Sequence, residues 1–223
     1  MDKHTQTNTK IGIGVTTTPN RKGYVDKWLE CFNKVKPKGY HLHIHDDVHY
    51  KGVAYAKNQN LKTLKSCEHI FLFDDDCYPI KNGWAEYFIE SLENHLLYLQ
   101  PNHNIYAKRG NLEMYRDCGG VFMYLNKRTF DKVGYFNSEY GQYGFEHAGY
   151  SNRIHKAGLT SSPYQQLKDT DKYLLAMDYS GQLCGVVKQF SISEAEKQKQ
   201  ININRNVFLK ELQSPQIFYN FAE

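Results

Sequence analysis

Long apolar runs are missing from this chain of 223 residues. None approaches the roughly eighteen residues that a membrane-spanning helix needs. The first nine residues are polar and lack the apolar core of a secretory signal, so residues 1–9 are expected to form a loose leader and the protein to be cytoplasmic. Cysteine is sparse. Cys31, Cys67, Cys77, Cys118 and Cys184 are scattered, odd in number and contain no CxxC pair. That argues against a cysteine zinc centre and a disulfide framework, and for a reducing compartment. There is no repeat and no low-complexity linker, and no Walker or Rossmann glycine pattern follows the first apolar stretch. Charge of one sign is not in excess either. A net charge of +4 permits a polyanionic partner without demanding one.

What is present is an ordinary apolar fraction of 40%, enough for one domain with a real core, and many aromatics. Tyrosine alone contributes 18 residues. Most of these are expected in core and surface, although a flat ring with a hydroxyl also suits stacking on sugars and bases.

The most informative stretch is Ile70-Phe71-Leu72-Phe73-Asp74-Asp75-Asp76. Four apolar residues read as a strand buried on both faces, and three carboxylates follow at its end. Ligands of open α/β sheets bind beyond the carboxyl ends of parallel strands. Three adjacent anions repel, and a hard divalent cation such as magnesium or manganese relieves them. Strand alternation would turn Asp74 and Asp76 to one side and Asp75 to the other.

Around this stretch the pattern alternates between strand and helix. Residues 10–15 read as a first strand whose glycines suit a close approach by another group. Residues 24–33 have helical spacing, and residues 40–45 alternate as a second strand ending in Asp46-Asp47. His41, His43 and His45 share a face of that strand and read as its polar side rather than as metal ligands. Residues 52–64 read as a helix carrying Lys57 and Asn58. Residues 83–99 read as a long amphipathic helix, and 101–116 as irregular. Residues 118–125 read as a buried strand, and 126–134 as a short helix stopped by glycine. A loop of glycines and tyrosines then leads to Glu146-His147 at the start of a helix over 148–157. There a carboxylate is favoured and a neutral imidazole can act as a base. Residues 159–190 give no clear pattern. Ser193 and Glu196 resemble a capping box that opens a last helix, with Ile201, Phe208 and Leu212 on its apolar side. The expected organisation is a catalytic domain over 10–190, with a C-terminal helix and tail over 191–223 packed on it.

These segments together resemble the GT-A fold of nucleotide-sugar-dependent glycosyltransferases, an α/β fold with a Rossmann-like mixed sheet. Phe73-Asp74-Asp75-Asp76 looks like the DXD motif of that family. Residues 119–122 and 144–158, with Gly119-Gly120 and Gly144-Phe145-Glu146-His147, are similar to the glycine-rich acceptor segment of galactosyltransferase-like members. His147 stands where those members carry an aspartate, and Tyr140 and Tyr143 stand for tryptophans. No histidine follows His155, so the late histidine that ligates metal in many relatives is missing.

The resemblance implies donor contacts at Thr16, Thr17, Arg21, Asp46, Lys57, Asn58, Asp74, Asp75, Gly119 and Gly120. It implies Mn2+ or Mg2+ at Asp74 and Asp76, with Asp178, Asp171 or water in place of the missing late histidine. Glu146 or His147 would be the catalytic base. The implied reaction moves a sugar from a nucleoside-diphosphate sugar, with a UDP-sugar the expected donor, to an acceptor hydroxyl, and a single base opposite the donor argues for inversion. The acceptor would be a glycan or, as for phage relatives of this kind of fold, a hydroxymethylated DNA base. In the DNA case Lys108, Arg109, Arg116 and the basic C-terminal run would meet phosphates. A binding module of the same fold without turnover is the alternative.

Overall fold

The computed structural model describes residues 11–99, 104–177 and 193–222. The expectations for residues 1–9, Asp178, Cys184 and the rest of 178–190 fall outside them.

The chain begins with alternating strands and helices: β1 (Ile11–Thr17), α1 (Lys22–Val35), β2 (Tyr40–Asp46), α2 (Val53–Leu64) and β3 (His69–Asp74). A turn at Asp75 and Asp76 leads to β4 (Cys77–Pro79), then α3 (Trp84–Ile89) and β5 (His95–Leu97). A hairpin of β6 (Ile105–Arg109) and β7 (Leu112–Tyr115) precedes β8 (Phe122–Asn126), α4 (Lys127–Val133) and α5 (Glu146–Lys156). The short strands β9 (Gln165–Leu167) and β10 (Leu174–Ala176) and the helix α6 (Glu194–Gln213) complete the described elements.

The main sheet has the order β2-β1-β3-β8-β5. β1 runs parallel to β2 and β3, whereas β8 is antiparallel to β3 and β5. Alternate side chains feed two cores. Ile13, Val15, Phe71, Phe73 and Phe122 pack with Trp28 and Phe32 of α1 and with Trp84 and Phe88 of α3. Ile70, Leu72, Met123 and Leu125 pack with Leu61 and Leu64 of α2 and with Tyr150 and Ile154 of α5. The glycines of β1 fall on the α2 side. A Cβ on Gly12 would lie 2.9 Å from Cys67 Sγ, and one on Gly14 would lie 2.8 Å from Asn60 Cβ, so the approaching group expected there is α2 and its C-terminal end.

Two expectations need correction. The single helix over 83–99 is instead α3 followed by β5. Leu92 takes a left-handed φ of 59°, which no helix continues through, and His95–Leu97 pairs with β8. The stretch read as irregular over 101–116 holds the β6–β7 hairpin, turned at Gly110 with φ of 58°. β9 adds to β7, and β10 pairs with β4. The four described cysteines are free thiols. No helix among the described residues is long and apolar enough to cross a membrane.

Candidate active site

β3 delivers Asp74 at the carboxyl edge of the sheet, and the turn into β4 carries Asp75 and Asp76. Because the chain leaves the strand after Asp74, strand alternation does not govern the next two carboxylates. Asp74 Oδ1 accepts a 2.6 Å bond from Nζ of Lys57, a side chain with no exposure at all. Asp75 is buried and accepts from Thr17 Oγ1 at 2.6 Å and from Arg21 Nε at 2.9 Å. Arg21 Nη2 reaches both Asp75 and Asp76, at 2.5 and 3.0 Å. So Asp75 and Asp76 share one guanidinium, which stacks on Tyr24 at 4.1 Å. Burial pushes the Asp75 carboxyl up, against the pull of the Arg21 and Thr17 hydrogen bonds.

Across the same cavity lies the start of α5. Glu146 and His147 are both buried, and His147 Nδ1 lies 2.9 Å from Glu146 Oε1. A carboxylate only accepts, so Nδ1 carries the hydrogen and the lone pair of the neutral ring sits on Nε2. Burial opposes ionisation of Glu146, but the hydrogen bond from His147, with Lys57 nearby, holds its carboxyl below the usual range. Glu146 Oε2 and His147 Nε2 are buried without a hydrogen-bond partner among the described residues. The imidazole lies over Gly120, where a Cβ would sit 2.3 Å from His147 Cγ. Gly120 was expected to admit the sugar, and the group it admits here is His147.

A cavity of about 820 Å³ joins the two ends. It is lined by Thr16, Thr17, Arg21, Asp74, Asp75, Asp76, Gly119, Gly120, Glu146 and His147 among the expected residues. Four expected residues, Asp46, Lys57, Asn58 and Asp171, lie off its wall. Asp46 is exposed at the end of β2, while its neighbour Asp47 lines the cavity and accepts from the Lys51 and Gly52 amides. Lys57 acts through Asp74. Asn58 clamps the backbone of Phe136 through both its amide atoms. Asp171 is exposed in a short 3₁₀ turn away from the cavity wall, and Asp178 lies outside the described residues. The β2 histidines have other partners: His43 meets Asn60, and His45 meets the ring of Tyr55.

Sequence reasoning missed Tyr24, Asp47 and Tyr50, and the α6 residues Lys197, Ile201 and Phe208, all of which line the cavity. Tyr24 had a signal, since it follows Arg21 by three residues at the start of a helix. The α6 residues had only their helical spacing.

Among the described residues no three histidine, cysteine or acidic side chains are grouped to hold a metal by themselves. The donor set nonetheless fits a hard divalent ion. Asp74 and Asp76 both line the cavity with 25% and 20% of their side chains exposed. One or two carboxylates are what magnesium-like ions take from protein when phosphates supply the remaining oxygens.

No family model and no curated protein matches the sequence. Solved structures do match the fold. Drosophila β1,4-galactosyltransferase 7, as a mutant in complex with manganese, UDP-Gal and xylobiose, is 16% identical with a TM-score of 0.52, covering 85% of this chain and 79% of that one. S. aureus TarS is 16% identical with a TM-score of 0.55, covering 93% of this chain but 44% of its own length. A shorter form of TarS is 17% identical with a TM-score of 0.53, covering 91% and 71%. The chain has a GT-A glycosyltransferase fold. In this GT-A fold the acidic turn lies at the end of the third strand of the β1–β3 unit, and the Glu146–His147 pair enters from the helix after β8.

Proposed function

We propose that the protein is a metal-dependent glycosyltransferase that moves a sugar from a nucleoside-diphosphate sugar, with UDP-sugars the first candidates, to an acceptor hydroxyl. One observation carries this reading. A single cavity of about 820 Å³, within the usual range for small-molecule sites, spans the acidic turn and an oriented histidine. Asp74 and Asp76 would hold Mn2+ or Mg2+, and a divalent ion bound there neutralises charge on a departing diphosphate. Arg21 fixes Asp75 and Asp76 relative to β1, and Lys57 fixes Asp74. At the other end His147 Nε2 takes the acceptor proton. Glu146 holds the ring in that tautomer and stabilises the imidazolium that forms, a division of labour familiar from acid–histidine pairs. With one base and one displacement, the product anomer is inverted.

A glycan is the first acceptor class to test, because Tyr143, Phe145 and Tyr164 line the cavity that holds His147 and flat rings stack on sugars. The test is nucleoside-diphosphate release from a panel of nucleotide sugars with manganese, with and without chelator. Chelator-sensitive release from one donor supports the enzyme. Absence of release from every donor, with no metal binding, would indicate a binding module of this fold.

A further inference from the structure

One face of α6 runs along the loop that precedes α5. Lys197, Ile201, Asn204, Phe208 and Glu211 recur at spacings of four, three, four and three, which keeps them in one stripe. Each meets the segment from Tyr140 to Phe145. Lys197 Nζ lies 4.7 Å from the centre of the Tyr143 ring, and Ile201 packs on Gly144. Asn204, fully buried, accepts from the Gly141 amide at 2.9 Å and donates to the Tyr143 and Gly144 carbonyls at 2.9 and 3.0 Å. Phe208 stacks on Phe145 with ring centres 5.2 Å apart, and Glu211 accepts from Tyr140 at 2.6 Å. Phe145 has a left-handed φ of 69°, a conformation that a bulky residue keeps only where its surroundings enforce it. The next two residues are Glu146 and His147.

The same stripe does more than hold the loop. Ile201 and Phe208 stay half-buried and line the cavity together with Tyr143, Phe145 and Tyr164. An apolar and aromatic wall inside a cavity, next to the base, is a surface for a ligand group. We propose that this face of α6 selects the acceptor. The preferred acceptor is a glycoside that carries a flat apolar group beside the sugar bearing the reacting hydroxyl, and Phe208 and Ile201 contact that group. This rests on the transferase reading, and it adds a specificity determinant contributed by the end of the chain.

The experiment separates the two readings. Donor release into water, followed without acceptor, reports on the transferase reading alone. Transfer is then compared between methyl and nitrophenyl glycosides of the same sugars, and a single-stranded oligonucleotide containing hydroxymethylcytosine, in wild type, Phe208→Ala, Phe208→Leu and Ile201→Ala. The expected result is a KM about fivefold lower for nitrophenyl than for methyl glycosides in wild type. That ratio should fall toward one in Phe208→Ala and Ile201→Ala and lie between in Phe208→Leu. Melting curves of the variants establish that they fold. If donors are hydrolysed but the KM ratio is one in wild type, or persists unchanged in both alanine variants, the proposal is overturned while the transferase reading stands. Preference for the oligonucleotide over every glycoside overturns it as well. If wild type hydrolyses no donor, both fall.

Discussion

His147 and Glu146 act through one shared hydrogen bond, so their variants should differ in kind. His147→Ala removes the base and is expected to lower the transfer rate by ~10²–10⁴-fold. Glu146→Gln keeps a partner for Nδ1 but loses the charge that stabilises the imidazolium, and a smaller fall is expected. Initial rates of transfer check both; equal rates in wild type and His147→Ala would remove the histidine from the mechanism. Gly120→Ala should behave like a base mutant, because its methyl group falls on the imidazole. His95 makes a separate prediction. It is fully buried between the Tyr124 carbonyl and Ser151, and burial lowers its pKa to about 4 from an ordinary 6.5. The folded state therefore binds fewer protons than the unfolded state between those values. Stability should fall as the pH drops from 6.5 toward 4, by about 3 kcal/mol from this residue. Urea midpoints across that window should fall less steeply for His95→Gln than for wild type. At this scale the sequence made the acid triplet plain, because an apolar strand running into carboxylates has few other readings. The resemblance also named Arg21, which the structure places on the Asp75 and Asp76 carboxylates. The sequence could not distinguish Asp46 from Asp47, since only the turn after β2 decides which of two adjacent carboxylates faces inward.

Elements are joined by a few polar ties as well as by the two cores. Trp28 of α1 donates to the Cys77 carbonyl, which seats α1 against β4 just beyond the acidic turn. Arg153 of α5 meets Glu211 of α6 at 2.6 Å, with both side chains almost fully buried, and also donates to the Val133, Tyr135 and Ile217 carbonyls. Removing one member leaves the other charge buried and uncompensated. Glu211→Ala is expected to cost about 3–5 kcal/mol, measured by chemical denaturation. A loss below ~1 kcal/mol would contradict the tie. The elements legible in the sequence were those with an unambiguous period and a stop signal: β1 to β3, α1, α2, α4 closed by Gly134, and α5 closed before Gly158. The failure at residues 83–99 has a physical cause. Leucines over 92–97 satisfy a helical period as well as a short buried strand, and only pairing with β8 decides between them. The β6–β7 hairpin was hidden for the opposite reason, since β6 alternates little and depends on β7 and β9 for partners.

For the molecule as a whole, one cavity runs from the acidic turn at the ends of β1 and β3 to the Glu146–His147 pair at the start of α5. The acidic end of the cavity was readable from local sequence because it is built within residues 16–76. The apolar wall at the other end was not, because it combines residues 143–145 with Ile201 and Phe208 on a helix more than fifty residues later. Binding and metal should therefore be coupled, since Asp74 and Asp76 would leave positions on a divalent ion to be filled by diphosphate oxygens. Titration calorimetry of the nucleotide sugar hydrolysed in the donor panel, with and without manganese, for wild type and Asp76→Asn, tests this most directly. The account predicts tight binding by wild type only when manganese is present, and weak, manganese-independent binding by Asp76→Asn. Equal affinity in all four measurements would contradict it.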